Sequence, residues 1–329
     1  MKAKKVDLRR LLMEMRLLLI LFALMGVLSL LSDRFLTIGN LTNVLWSVCL
    51  IGIMSAGFIY APITGGIDLS VGSMAALSGI IANALMNVIG VPWPLALLLT
   101  MAIGLGIGFL NGIVTTKFRV PPFIVTMAAL TYLFGFAMLI SGGDERSITE
   151  PAGFLLIGTG KLFGTPLPIY IMLLTIVGSH ILLKHTAFGR RAIAVGANET
   201  AAKLSGVDPD KTRIIAYTLS SGTATLAGIV MASLTQQAYA MNARGYELDV
   251  ITAVVVGGTS LMGGSGSVVG ALIGAVMVGF INNGLNLMNM PASFHPLATG
   301  IVILAALILN QGIHLPRGSI IGNKTPKKA

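Results

Sequence analysis

The sequence predicts an all-α, polytopic membrane protein with about ten transmembrane helices and both termini cytoplasmic. Three observations carry that prediction. The 329 residues are 55% hydrophobic and only 10% charged, against roughly a quarter charged in soluble domains, and the mean hydropathy is +0.88. So little charge cannot clothe a water-facing surface, and lipid is the solvent for most of the chain. Ten apolar stretches bounded by charge, Gly or Pro approach the about 20 residues a helix needs to cross about 30 Å of hydrocarbon. With the N-terminus inside, every Lys and Arg except Arg34, Arg146, Lys161 and Arg244 then falls on the inner side, as the positive-inside rule requires.

The first stretch, 12–31, follows a basic start and has the look of a signal peptide. Ser29 to Phe35 offers no small-x-small cleavage pattern, so it is read as a retained anchor. The stretches 41–62 and 69–89 are joined by TGGIDLSVGS, Thr64 to Ser73. Gly65 and Gly66 permit backbone angles closed to other residues, and Asp68 is placed to cap a helix beginning at Leu69. A chain break near the membrane survives only against protein or a wet cavity. Gly65, Gly66, Asp68 and Ser70 are therefore gate candidates, with a plain helix cap as the alternative. The stretches 93–116, 122–141 and 166–184 begin near Pro94, Pro121 with Pro122, and Pro166 with Pro168, where a missing N–H costs nothing. An outer, periplasmic loop, 142–165, and an inner, cytoplasmic one, 185–212, flank the sixth stretch. The rest are 213–234, 249–263, 266–287 and 296–315. The eighth is short and tied to the ninth by Gly263-Gly264-Ser265-Gly266, so the pair reads either as two crossings or as a broken, re-entrant segment. Neither loop is long enough for its own core, and 1–329 is one membrane domain.

Forty glycines imply close helix approach, because lipid gives helices no hydrophobic drive to associate. Gly104, Gly108 and Gly112 form one small-residue ridge and Gly266, Gly270 and Gly274 another, read as intrachain packing ahead of a dimer seam. Asp68 is the one acid lodged between two stretches, near an end. The interior instead offers neutral groups, Asn83, Asn87, Asn111, Ser220, Ser221, Thr223, Asn282, Asn283 and Asn286. These suit either interhelical hydrogen bonds or passage of an uncharged polyhydroxylated solute. Asn111, Asn282, Asn283 and Asn286 join the gate residues as pathway candidates.

Several classes fall away. The net charge of +10 follows from topology and anionic lipid, which removes the nucleic-acid reading. Cys49 is the only cysteine and the four histidines lie far apart, so no metal site is expected. No Ser/His or paired-Asp constellation points to an enzyme. No phosphate-binding loop is present, since Gly158-Thr159-Gly160-Lys161 is followed by Leu162, and no cofactor is expected on this chain. A stand-alone secondary carrier or channel for a neutral polar solute is the alternative, disfavoured by the lack of midplane carboxylates.

The inner stretch FGRRAIAVGANETAAKLSGVDPDKTR, Phe188 to Arg213, carries Asn198 as an N-cap, Glu199 in a first turn, the helix formers Ala201 and Ala202, and Gly206 as a stop. Asp208 and Pro209 restart a helix. Taken with GGIDLSVGS at 65–73, LAGIVMAS at 226–233 and ELDVITAVVVGGTSLMGGSGSVVGALIGA at 247–275, the chain resembles the ribose-type permease family of bacterial ABC sugar importers. The resemblance covers nearly the whole chain. It implies a multi-pass subunit of the bacterial inner membrane that moves a monosaccharide or related polyol. Its partners would be a cytoplasmic ABC ATPase holding ATP and Mg, a periplasmic or lipid-tethered sugar-binding protein, and a second permease copy or sister permease, with no nucleic acid. Ala201-Ala202-x-x-x-Gly206 is similar to the ATPase-contacting loop of importer permeases, although Glu199 stands one residue further from the alanine pair than usual. Gly196, Asn198, Glu199, Ala201, Ala202 and Gly206 are the expected coupling residues. Asp144, Glu145, Arg146, Arg244 and Glu247, on outer loops, are docking candidates for the binding protein.

Overall fold

The computed structural model describes residues 8–312 other than Ala292, with side chains from Leu17 to Ala306. The basic residues at both chain ends, and the last residues of the tenth expected stretch, lie outside the described residues. A helix stands at each of the ten expected stretches. In order these are α1 Leu8–Leu31, α2 Ile38–Phe58 continuing into α3 Tyr60–Ile63, α4 Val71–Asn83 ending in a π-turn at Ala84–Val88, α5 Trp93–Lys117 and α6 Pro122–Ser141. Then come α8 Leu167–His185, α11 Pro209–Thr235, α12 Tyr246–Val256, α13 Val268–Leu287 and α14 Phe294–Gly312. Three short helices lie between them: α7 Ala152–Thr159, α9 Ala187–Ala197 and α10 Glu199–Leu204.

Proline marks starts as expected: Pro92, Pro121 and Pro166 hold the cap positions of α5, α6 and α8. Pro62 explains the α2–α3 join, because it has no N–H for the carbonyl of Phe58 one turn earlier. Among the described residues seven helices are long and apolar enough to cross a membrane. The described apolar parts of α1 and α14 are shorter. Helix α12 has 11 residues, roughly 16 Å at 1.5 Å per residue, so it does not cross alone. It is followed by the irregular segment 257–267, so the eighth stretch is a short helix with an irregular continuation before α13.

Helix α11 is the axle. It packs against α2, α4, α5 and α7 and, with α2–α3, is largely buried, whereas α5, α6 and α8 leave most of their surface exposed. The first glycine ridge makes the closest seam: a Cβ on Gly104, Gly108 or Gly112 would strike Thr225, Ser221 or Ile214 of α11. Gly270 and Gly274 of the second ridge likewise admit the backbone of α12 at Gly257 and Ala253. The intrachain reading of both ridges is what the structure has.

The polar residues separate to two ends. Lys117 pairs with Asp210 at 3.3 Å, and α9, α10 and the start of α11 gather there with the end of α8, forming a basic end. At the opposite end the 142–165 loop is ordered: β1 (Arg146–Ser147) pairs with β4 (Gln237–Ala238), and β2 (Lys161–Leu162) with β3 (Thr165–Pro166). Ser233 Oγ of α11 accepts from Gly158 N at 2.7 Å and donates to Phe154 O at 2.7 Å, strapping α7 to the axle.

Candidate functional site

The segment between α8 and α11 is two helices and four caps. Thr186 accepts from Gly189 N at 3.3 Å and starts α9, an amphipathic helix not foreseen in the sequence. Asn198 accepts from Ala201 N at 2.9 Å and starts α10. Gly206, at φ +80°, ends it: Gly206 N donates to Lys203 O and Val207 N to Ala202 O, both at 3.0 Å, the paired bonds of a left-handed C-terminal cap. Asp208 accepts from Lys211 N at 3.1 Å and starts α11. Ala202 is buried, whereas Ala201 and Leu204 face outward, Leu204 at 86% exposure.

Two contacts tie this segment to the bundle. Arg213 Nη2 meets Glu199 Oε2 at 2.7 Å, and Arg213 Nε donates to Thr64 O at 3.3 Å, directly before Gly65. The second contact is backbone on backbone. Gly196 packs on the carbonyl of Ile63, the last residue of α3, and Gly264 N donates to that same carbonyl at 2.9 Å. A Cβ on Gly196 would overlap Ile63 O and lie 2.5 Å from Gly264 N. Gly196 therefore faces the bundle, not outward.

Above that junction runs the 64–70 break. Helix α4 begins at Val71, with Ser70 as its cap position, two residues later than expected. Asp68 caps the turn before it, accepting from Ser70 N at 3.0 Å and from Ser70 Oγ. Its position is a correction. Asp68 is 1% exposed and lies beside Ser220, roughly 16 Å along α11 from Pro209 at 1.5 Å per residue, so it is lodged deep in the bundle. The reason is that 64–70 is unwound and climbs alongside α11, with Tyr217 donating to Ile67 O at 3.4 Å. Asp68 Oδ2 and Ser220 Oγ are both buried, side by side, with the hydroxyl as the donor nearest the carboxylate and no other partner for either atom.

The asparagines separate into two sets. Tyr132 donates to Asn111 Oδ1 at 3.2 Å, and Asn111 Nδ2 is buried and unpartnered. Asn283 exchanges bonds with Asn40 at 2.7 and 2.9 Å, and Asn282 donates to Asp249 at 3.3 Å, which also accepts from Thr299 at 3.1 Å. These are joints between helices. Asn286 is exposed on α13, and Asn87 bonds Asn83 within its own helix at 2.7 Å. Asp249 escaped the sequence reading because the eighth stretch was started at that residue; the helix starts at Tyr246, which carries Asp249 inside.

At the opposite end Arg146 lies on β1 and donates to Ser141 O at 3.3 Å; Arg244, exposed, stands further in, lining a cleft with Ser73 of α4 and Thr131 of α6. Glu247 is a second correction: it sits in the first turn of α12, half-buried, with its carboxylate over Gly72 of α4. The absence of a side chain on Gly72 draws it in from the loop surface.

The family described as branched-chain amino acid transport system / permease component matches residues 40–308. The chain is 40% identical over 303 residues to the ribose import permease protein RbsC of Escherichia coli K12, covering 91% of this chain and 94% of the relative. The ribose import permease protein RbsC of Bacillus subtilis is 38% identical over 292 residues, covering 88% and 90%. The L-arabinose transport system permease protein AraH of Escherichia coli K12 is 32% identical over 302 residues, covering 89% of each. No solved structure matches. The chain belongs to the ribose-type permease family of sugar ABC importers and is a multi-pass inner-membrane protein.

Proposed function

We propose that this chain is the membrane subunit through which a monosaccharide or related polyol enters the cell, driven by ATP hydrolysis on partner ATPases. In this reading it crosses ten times with both termini cytoplasmic and pairs with a second copy or a sister permease. A binding protein delivers the solute, with Arg146 on the ordered outer loop as its docking residue. ATP binding closes the ATPases against α10 through Ala201 and Leu204. Movement of α10 then reaches the 64–70 break through Glu199, Arg213 and Thr64. The gate residues Gly65, Gly66, Asp68 and Ser70 shift against Ser220 and Asn111. This gives the nucleotide the differential contacts with two states that a driven switch needs.

The observation that carries the reading is the link from α10 through Arg213 to the break, which gives an outside force a path to the bundle interior. A stand-alone carrier has no use for it. D-ribose and L-arabinose, the sugars in the relatives' names, are the first solutes to test. Gly206→Val forces a branched side chain into a left-handed backbone and tilts α10 without touching the bundle. Uptake is expected to fall about tenfold or more, as for about 1.4 kcal/mol lost in coupling, with the subunit still inserted. Unchanged uptake, or sugar flux in vesicles holding only this chain, counts against the importer reading.

A further inference from the structure

The first turn of α4, the middle of α6 and the segment 239–247 enclose a cleft of about 370 Å³. Its polar lining is Ser73, Thr131, Arg244 and Glu247, and Phe134 forms an apolar wall. Thr131 stands near the midpoint of α6, whose other outward residues include Leu139 at 78% and Phe136 at 52% exposure. That helix is built to meet hydrocarbon, yet one of its flanks abuts a guanidinium and a carboxylate. Among the described residues neither charge forms an ion pair. Charged groups facing lipid at the middle of a span are costly and are kept toward water-filled cavities, so this flank is wet.

The geometry points to this cleft as a docking place for a neutral monosaccharide on its way across, with Arg244, Glu247, Ser73 and Thr131 as its hydrogen-bonding residues. The inference rests on the importer reading above. One fixed positive and one fixed negative charge favour a solute without net charge. Glu247 offers only acceptors, Arg244 only donors, Ser73 both, and Thr131, whose O–H donates to Met127 O at 3.1 Å, an acceptor lone pair, which suits a ring of hydroxyls that each donate and accept. Phe134 gives the C–H face of the sugar an apolar partner. The volume lies within the range of small-ligand sites, about 300–1,000 Å³. Gly72 shapes the floor: a Cβ there would collide with the Glu247 carboxylate, so the glycine lets that carboxylate lie against α4.

The buried native Cys49 can be replaced by alanine to give a thiol-free background. In membranes carrying the chain with its partners, Thr131→Cys is expected to react with a charged, membrane-impermeant thiol reagent in the presence or absence of ATP. Leu139→Cys is expected not to react. Excess D-ribose or L-arabinose, whichever the wild type takes up, should slow the reaction at position 131. Thr131→Val and Glu247→Gln should each lower sugar moved per ATP hydrolysed by about threefold to tenfold, the size of one lost hydrogen bond. An unreactive Thr131→Cys, or an unchanged ratio in both variants, including uptake and hydrolysis falling together, overturns the cleft alone. Wild-type membranes that accumulate no sugar overturn the importer reading itself, whatever the labelling shows.

Discussion

The two breaks in the bundle are built alike and held differently. Each opens with two glycines, Gly65-Gly66 and Gly257-Gly258, and each re-enters through a serine at the cap position, Ser70 before α4 and Ser267 before α13. Both reach the same carbonyl at Ile63, where Gly196 of α9 also packs. The first is fixed by side chains: Arg213 on Thr64, Tyr217 on Ile67 and Asp68 on Ser70. The second carries no charge and is fixed by backbone, with Gly263 and Gly264 pressed on Gly196 and Ala197 and Ser260 N donating to Ser265 O at 3.1 Å. Side-chain fixings can slip and re-form during a cycle, whereas a backbone seam tolerates no added atom. In the proposed transport cycle the first break is therefore the moving part and the second the bearing.

The sharpest way to break that comparison is to put a Cβ into the seam. Gly196→Val has no room against Ile63 O, and overpacking of this kind costs about 1–3 kcal/mol. Uptake is expected to be lost about tenfold or more together with a lowered melting temperature in detergent. A Gly196→Val protein with normal transport would show that the seam opens freely.

Asp68→Ala comes next. It leaves the Ser70 N–H buried without its acceptor, at about 1–3 kcal/mol, whereas Asp68→Asn keeps one oxygen for that bond. Alanine is expected to lower thermal stability clearly more than asparagine; equal loss in both would mean that the carboxylate acts through its charge. Arg213→Ala removes both fixings on its side of the first break. Sugar moved per ATP hydrolysed is expected to fall about threefold to tenfold, the size of one or two hydrogen bonds, with partial recovery in Arg213→Lys. Glu199→Gln should be the mildest: the amide oxygen still accepts from Arg213, so the link persists and only the charge of a pair whose carboxylate is 51% exposed is lost, about 0–1 kcal/mol, and a change within about twofold is expected.

Much of this is legible in the amino-acid sequence alone. Hydropathy and proline placed the helices, and capping chemistry placed α10 between Asn198 and Gly206, because local backbone bonds are written in local residues. The depth of Asp68 is not, since nothing in TGGIDLSVGS says that the unwound chain climbs alongside α11 instead of lying at the membrane edge. Arg213 entered the sequence reading as one more inner cation; its bond to Thr64, 149 residues away in sequence, is a fact of packing. The asparagines were read as pathway or glue, and for Asn282 and Asn283 the bonds to Asp249 and Asn40 are interhelical. Thr131 carried no signal, because a lone threonine in an apolar helix normally bonds its own turn, as it does here to Met127 O at 3.1 Å.

The central claim is that the α9–α10 segment faces the cytosol and passes force from a partner into the bundle. Labelling a Leu204→Cys variant, with Cys49→Ala, by an impermeant thiol reagent tests it most directly. No reaction is expected from outside intact cells, with reaction in inverted membranes and protection there once the ATPase is bound. Labelling from the outside, or no protection by the ATPase, would contradict it.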